Sequence, residues 1–205
     1  MNKLQPMETK KRIIIGLSGA SGIQFGIRAL ELLRNLNIET HLVISQAAEM
    51  VCSYETTLKL NEIEALANKV YSRSDFGAAI SSGSYKTIGM LIAPCSVKTL
   101  SEIATGVTSS LLSRAADVIL KERRTLVLMF RETPLHMGHL KSMTTVTEMG
   151  GIIMPPVPAF YLKPKSVDDM VTNSVARALD LFGLDMDIPR WDGCNKSLFK
   201  SNKSG

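Results

Sequence analysis

Short, continuous apolar runs alternate along this chain with stretches whose apolar residues recur every three or four positions. Arg12–Ser18 (RIIIGLS) is a β-branched run of the kind that forms a buried strand. Ile23, Ile27, Leu30 and Leu33 then share one helical face. Glu39–Ser45 reads as a second strand. Residues 46–70 read as mostly helical, with a turn near Lys59–Asn61, and Tyr71–Lys86, rich in Ser and Gly, as a loop or short helix. Ile88–Ala93 is a third strand, stopped by Pro94. Ser96–Ala104 and Ser110–Arg123 are helical, Thr125–Phe130 is a fourth strand, and His136–Met149 is a helix. Ile152–Met154 is a short fifth strand before Pro155, Pro156 and Pro158. Ser166–Phe182 is a helix with a capping-box pair, Ser166 and Asp169, at its start and Gly183 at its end.

Strands and helices in alternation, with strands apolar throughout, predict an α/β fold: a parallel sheet covered by helices on both faces. Residues 12–184 form one domain in this reading. Residues 1–11 are a flexible extension and residues 185–205 a polar tail, mobile beyond Trp191. Such sheets bind ligands at the carboxyl ends of their strands, so the chemistry is expected in the loops that follow them.

Composition narrows the classes. The chain has 205 residues, 45% of them hydrophobic and 21% charged, which excludes wholesale disorder. No run approaches the ~20 apolar residues of a membrane span, and the polar N-terminus shows no secretory h-region. Cys52, Cys95 and Cys194 are odd in number and far apart, which argues against a disulfide framework and for a reduced, cytoplasmic setting. The net charge is +5, but residues 1–12 carry +3 and residues 185–205 carry +1. The body is therefore nearly neutral, with no basic stripe interleaved with aromatics, and no nucleic-acid partner is expected. An anionic small ligand remains open.

Five loops or faces carry candidate chemistry. Gly16-Leu17-Ser18-Gly19-Ala20-Ser21-Gly22 opens a helix directly after the first strand, where amides and a hydroxyl can approach a phosphate. Its spacing is neither the dinucleotide G-x-G-x-x-G nor a P-loop. The second strand ends in Ser45 rather than an acidic ribose ligand, so a mononucleotide fits better than NAD. Taken alone, the loop points to a phosphate, with a tight strand–helix turn that holds no ligand as the lesser alternative. Pro94-Cys95-Ser96-Val97-Lys98-Thr99 is a second candidate anion cradle, or simply an N-cap by Ser96. Cys95 has no nucleophile's partners and reads as buried filler. Arg131-Glu132-Thr133-Pro134 follows the fourth strand and sets a carboxylate at the sheet's active edge, suited to moving a proton. Arg114, Asp117 and Lys121 share a helical face that by periodicity is a solvated ion ladder. Pro155 to Tyr161 forms a stiff loop presenting the Tyr161 hydroxyl. His136 and His139 lack a third partner, so no metal is expected.

Read in order, these segments resemble the UbiX-type flavin prenyltransferases, within the wider flavoprotein set that includes the flavin-dependent cysteine decarboxylases. The resemblance spans roughly residues 12–192. Besides the loops above, it rests on Ser81-Ser82-Gly83-Ser84, Arg114-Ala115-Ala116-Asp117-Val118 and Leu120-Lys121-Glu122-Arg123-Arg124. It implies a three-layer, Rossmann-like (flavodoxin-like) domain assembled into a dodecamer. It further implies that dimethylallyl phosphate and reduced FMN react at N5 and C6 to give prenylated FMN, the cofactor of a UbiD-type decarboxylase. By position, Gly19, Ala20, Ser21, Ser45, Ser96, Val97, Lys98, Thr99 and Arg131 would bind FMN. Tyr161 and Arg177 would bind the donor phosphate, and Trp191 would flank the prenyl pocket. Glu55, Arg114, Lys121 and Glu132 would complete the catalytic set with Arg131, some of them from neighbouring subunits. Phe25 departs from a frequent Tyr, and the resemblance assigns no role to the longer N-terminus or the lysine-rich tail. Alternative readings are a direct flavin-dependent decarboxylase and a non-catalytic flavin carrier. The first would call for a His in an early helix and a Pro-x-Met-Asn segment, both absent.

Overall fold

A computed structural model describes residues 10–188 and 190. Trp191, Cys194 and most of the two end segments lie outside the described residues. Six strands form one sheet: β1 (Arg12–Leu17), β2 (Glu39–Ile44), β3 (Lys69–Tyr71), β4 (Gly89–Cys95), β5 (Thr125–Phe130) and β6 (Ile152–Ile153). Every pairing is parallel and the order is β3-β2-β1-β4-β5-β6. Seven α-helices accompany it: α1 (Ile23–Asn35), α2 (Gln46–Glu55), α3 (Leu60–Glu64), α4 (Val97–Thr105), α5 (Leu111–Lys121), α6 (Met137–Glu148) and α7 (Val167–Asp180). The fold is the three-layer, Rossmann-like α/β sandwich. Without the short edge strand β3, the remaining order is the 2-1-3-4-5 of flavodoxin-like sheets.

Alternation along each strand divides the core in two. Ile13, Ile15, Leu42, Leu91 and Val127 face α1 and α7, whose Leu30, Val175 and Leu179 complete that layer. Ile14, Val43, Met90, Ile92 and Leu128 face α4 and α5, with Leu100, Leu112 and Ile119. Because both faces are covered, the strands show no polar side, which is why the sequence displays them as continuous apolar runs. α1 lies close against β1 and β4 because position 26 has no side chain. A Cβ on Gly26 would stand 2.3 Å from the Ala93 carbonyl oxygen.

Two expectations need correction. The residues before Tyr71 are not all helical: Lys69–Tyr71 is a strand, paired with His41–Val43 of β2. Its first two residues are exposed and it is three residues long, so neither burial nor alternation marks it in the sequence. Pro94 does not stop β4 either. The strand runs on to Cys95, with a register shift against β5 between Ile92 and Cys95 where proline offers no N–H to the ladder. The Ser166–Asp169 capping box of α7 is present, and Gly183 has φ +68°, as a helix-terminating glycine does.

The chain fills one half of the sheet from β1 to β3 and then crosses to β4. The reversal falls between β1 and β4, and their carboxyl ends flank the crevice where such folds bind ligands.

Candidate active site

The loops at this crevice are tied to one another across the strand ends. The Ser45 amide donates to the Leu17 carbonyl (2.9 Å), the Ser18 amide to the Pro94 carbonyl (3.2 Å), and the Arg131 amide to the Cys95 carbonyl (3.0 Å). Each loop therefore starts from a fixed point on its neighbour. Ser45 then caps α2 by accepting from the Ala48 amide, and Ser96 caps α4 by accepting from the Thr99 amide. Both serines were candidate ligands, and both do an N-cap's work as well.

Between these loops lies a cavity of about 690 Å³, within the ~300–1,000 Å³ usual for small-molecule sites. Gly19, Ala20, Ser21, Ser45, Ser96, Val97, Lys98, Thr99, Arg131 and Glu132 all line it. Four separated segments of sequence thus converge on one wall system. The donor set is hydroxyls, loop backbone and three cations, Arg73, Lys98 and Arg131, which suits a phosphorylated ligand with a polar chain. Gly19 packs so tightly that a Cβ there would stand 2.2 Å from the Ala47 Cβ. A larger residue would push the loop off α2 and into the cavity.

The helix N-terminus offered by the first loop is partly taken. Glu55, the last residue of α2, accepts from the amides of Gly22 (2.7 Å) and Ile23 (3.1 Å). Burial alone would raise its carboxyl pKa. Hydrogen bonds from the Ser21 hydroxyl and those two amides, with the Arg131 charge, outweigh burial and hold it below the ordinary value. At neutral pH this internal carboxylate occupies the place at α1 where the glycine-loop argument would have put a phosphate. The start of α4, with Ser96, Lys98 and Thr99, remains the cation-flanked helix N-terminus that lines the cavity.

Several lining residues carry no mark of a site in the sequence: Met50, Arg73, Phe76, Glu102, Ser109 and Ser110. Arg73 and Phe76 belong to the Ser/Gly-rich segment. The Leu111 amide donates to the Arg73 carbonyl (2.8 Å) and so draws that segment to the start of α5. Glu102 accepts from the Ser109 hydroxyl at 2.7 Å and faces Lys98 at 3.6 Å. No local pattern marks these positions, because each is defined by its neighbours in space.

Other candidates stand apart from this cavity within one chain. Tyr161 and Arg177 line a second cavity of about 390 Å³ with Asn173, Ser174 and Arg190. Arg177 also lies 3.7 Å from Asp180. Arg114 pairs with Asp117 at 2.5 Å, half-exposed, and lines neither cavity. Lys121 pairs with Glu122 at 2.5 Å, with its Nζ beside Gly83. That is three helical turns from the start of α5, ~15 Å along its axis. Trp191 lies outside the described residues. Cys95 is fully buried, and burial pushes its thiol pKa far up, as filler requires. The His136 and His139 rings stack 3.6 Å apart at the start of α6. No group of three potential metal ligands occurs among the described residues.

The doubly wound sheet and the hydroxyl-rich crevice at its switch point define a mononucleotide-binding α/β protein. Comparison with known proteins narrows the class. The family model described as Flavoprotein matches residues 1–179. The flavin prenyltransferase UbiX of Neisseria meningitidis serogroup B is 56% identical over 184 residues, covering 89% of this chain and 97% of that protein. A crystal structure of AnUbiX (PadA1) in complex with FMN and dimethylallyl pyrophosphate superposes with a TM-score of 0.89 at 49% identity, over 90% of this chain and 99% of that one. A dodecameric FMN-dependent UbiX-like decarboxylase from Escherichia coli O157:H7 gives 0.86 at 46%, over 89% and 100%. The chain belongs to the flavoprotein family and, within it, to the UbiX flavin prenyltransferases.

Proposed function

We propose that this protein transfers a dimethylallyl group from dimethylallyl phosphate to reduced FMN, forming bonds at N5 and C6, without a metal ion. The observation that carries this reading is the convergence of Gly19–Ser21, Ser45, Ser96–Thr99 and Arg131 on one cavity. Those are the positions the family resemblance assigns to the flavin.

Reduced FMN supplies the electron-rich ring that attacks the activated prenyl carbon. The protein's part is to hold, orient and neutralise. Lys98 and Arg131 sit on the cavity wall and balance phosphate charge. Arg131 also offsets the Glu55 carboxylate that pins the first loop. As the carbon–oxygen bond of the donor breaks, charge grows on the leaving phosphate, and Arg131, Lys121 and Arg177 are suited to stabilise it. Tyr161 would hold the same phosphate through its hydroxyl. Ring closure needs a proton delivered to C2 of the N5-attached prenyl group, which makes C3 electrophilic toward C6, and the loss of the C6 proton; Glu132, at the cavity edge after β5, is suited to carry that proton from C6.

Arg114 and Lys121 do not line the cavity in one chain, and Tyr161 and Arg177 line a different one. We therefore propose that the site is completed by neighbouring copies in a homo-oligomer. The dodecameric state named for the Escherichia coli relative supports that order of assembly. Cys52 and Cys95 are free and buried, which supports a reducing cytoplasmic setting. Among the described residues no helix is long and apolar enough to cross a membrane. A UbiD-type decarboxylase would receive the product.

The test is anaerobic incubation with reduced FMN and dimethylallyl phosphate, with the pyrophosphate run in parallel. A flavin heavier by one prenyl unit is expected. A mass spectrum showing unmodified FMN alone, where an established relative succeeds, overturns the reading. Release of CO2 from an aromatic acid by this protein alone would favour the decarboxylase alternative.

A further inference from the structure

Ser18 is 1% exposed and lines neither of the two cavities described above. Its hydroxyl nevertheless joins two segments that are distant in sequence and adjacent at the site. Ser18 Oγ donates to the Pro94 carbonyl at 2.8 Å and accepts from the Ser96 amide at 2.8 Å. We infer that Ser18 is a positioning residue for flavin binding: its buried hydroxyl locks the Gly19–Ser21 loop to the Ser96–Thr99 loop and sets the width of the cradle between them. The inference rests on the proposal that this cavity binds FMN.

The sheet has a gap between the two loops. The β1–β4 ladder ends at the Gly16–Ile92 pair. Two residues later β4 carries Pro94, which has no N–H to offer a neighbour. At this point β1 and β4 need another connection, and they need it just where the ligand loops begin. The Ser18 amide supplies one bond, to the Pro94 carbonyl at 3.2 Å. The Ser18 hydroxyl supplies two more. It satisfies the Ser96 amide, a donor at the N-cap of α4 that would otherwise be buried without a partner. Ser96 Oγ is then free to accept from the Thr99 amide (3.3 Å) and donate to Thr99 Oγ1 (3.1 Å). A continuous chain of hydrogen bonds thus runs from the residue before Gly19 to Thr99.

The ties between the neighbouring strand ends, Ser45 to Leu17 and Arg131 to Cys95, are backbone bonds. A side chain cannot easily disturb those ties. At Ser18 two bonds of one hydroxyl are added to the backbone bond, so one substitution removes those two and leaves the backbone bond in place.

The experiment compares Ser18→Ala with Thr40→Val. Thr40 is an equally buried hydroxyl with two bonds to Asn68, at the amino end of β2, away from the cavity. Both variants should lower the melting temperature to a similar extent. Only Ser18→Ala should weaken FMN binding, by about tenfold in fluorescence titration, with a parallel rise in KM for reduced FMN. At saturating flavin its kcat should stay within about threefold of the parent, because no reacting group is removed. If Ser18→Ala does not fold, Ser18→Cys carries the same expectation, since a thiol of similar size is a poor acceptor. Unchanged FMN affinity in a folded Ser18 variant overturns the inference while leaving the function intact. Equal loss of affinity in Thr40→Val overturns it too, by making the effect one of global stability. Absence of FMN binding in the unsubstituted protein would instead overturn the proposed function, and the inference with it.

Discussion

The Glu55 carboxylate stands 2.7 Å from the amide of Gly22, which enters α1 with φ +101°. That backbone region is open to glycine and strained for other residues. Gly22 therefore has no side chain to cap its own helix, and the end of α2 provides the cap from 33 positions away. Glu55→Ala should cost about 1 kcal/mol in urea unfolding, the usual value of an N-cap. Glu55→Gln, which keeps an acceptor oxygen, should recover most of it. The pH dependence has a definite sign. The folded-state pKa lies below the ordinary value, so the contribution is present above that value and fades as pH falls through the acid range.

Glu132 is placed to test the proton step. It lines the cavity edge, and its carboxylate accepts from the Thr133 amide at 3.0 Å. Glu132→Gln should leave FMN binding within about twofold and slow the step after the first carbon–nitrogen bond by about 10²–10⁴-fold, the range for general-base loss. Quenched-flow mass spectrometry would show a singly attached flavin accumulating. Normal turnover would remove Glu132 from the role.

Arg177 and Tyr161 line a cavity separate from the one lined by Gly19–Ser21, Ser45, Ser96–Thr99 and Arg131. Arg177→Ala should therefore raise KM for the prenyl donor by about 10- to 100-fold, as loss of a charged hydrogen bond does, with FMN affinity nearly unchanged. Steady-state kinetics varying each substrate separate the two. Equal loss of both affinities contradicts the assignment.

At the opposite end of the sheet, His41 is wholly buried in β2. Its Nδ1 lies 2.8 Å from the Tyr71 hydroxyl, and its Nε2 lies 2.9 Å from Glu39 and 3.2 Å from the Tyr85 hydroxyl. Burial lowers its pKa first, and the Lys69 and Arg12 charges add to this. The Glu39 contact opposes them without prevailing. The unfolded chain thus takes up a proton more readily than the folded one. Stability is complete above the ordinary histidine value of 6.5 and declines as pH falls below it. The melting temperature should drop between pH 7 and pH 5, and His41→Gln should flatten that slope. Glu39, also held below its ordinary value, acts at lower pH and leaves this window to His41.

Much was written locally. β1 and β5 appear in the sequence as apolar runs because both sheet faces are covered. α7 appears through its Ser166–Asp169 cap and Gly183, because caps satisfy backbone groups within a few residues. The four segments that line the main cavity were legible as one group because each follows a strand, and a parallel sheet places all such loops at one edge. Tertiary structure decided what no window of sequence contains. It made Lys69–Tyr71 a strand by offering it the open edge of β2. It brought Arg73 and Phe76 to the cavity through the bond to Leu111, and it gave the amides of α1 to Glu55 rather than leaving them for a phosphate. It also left Lys121 far along α5 from the cavity that Arg131 lines. Local hydrogen bonds and hydrophobic period act over a few residues and can be read there. Which charge meets which amide depends on how far the chain travels before it returns, and that is fixed only when the sheet closes against its helices.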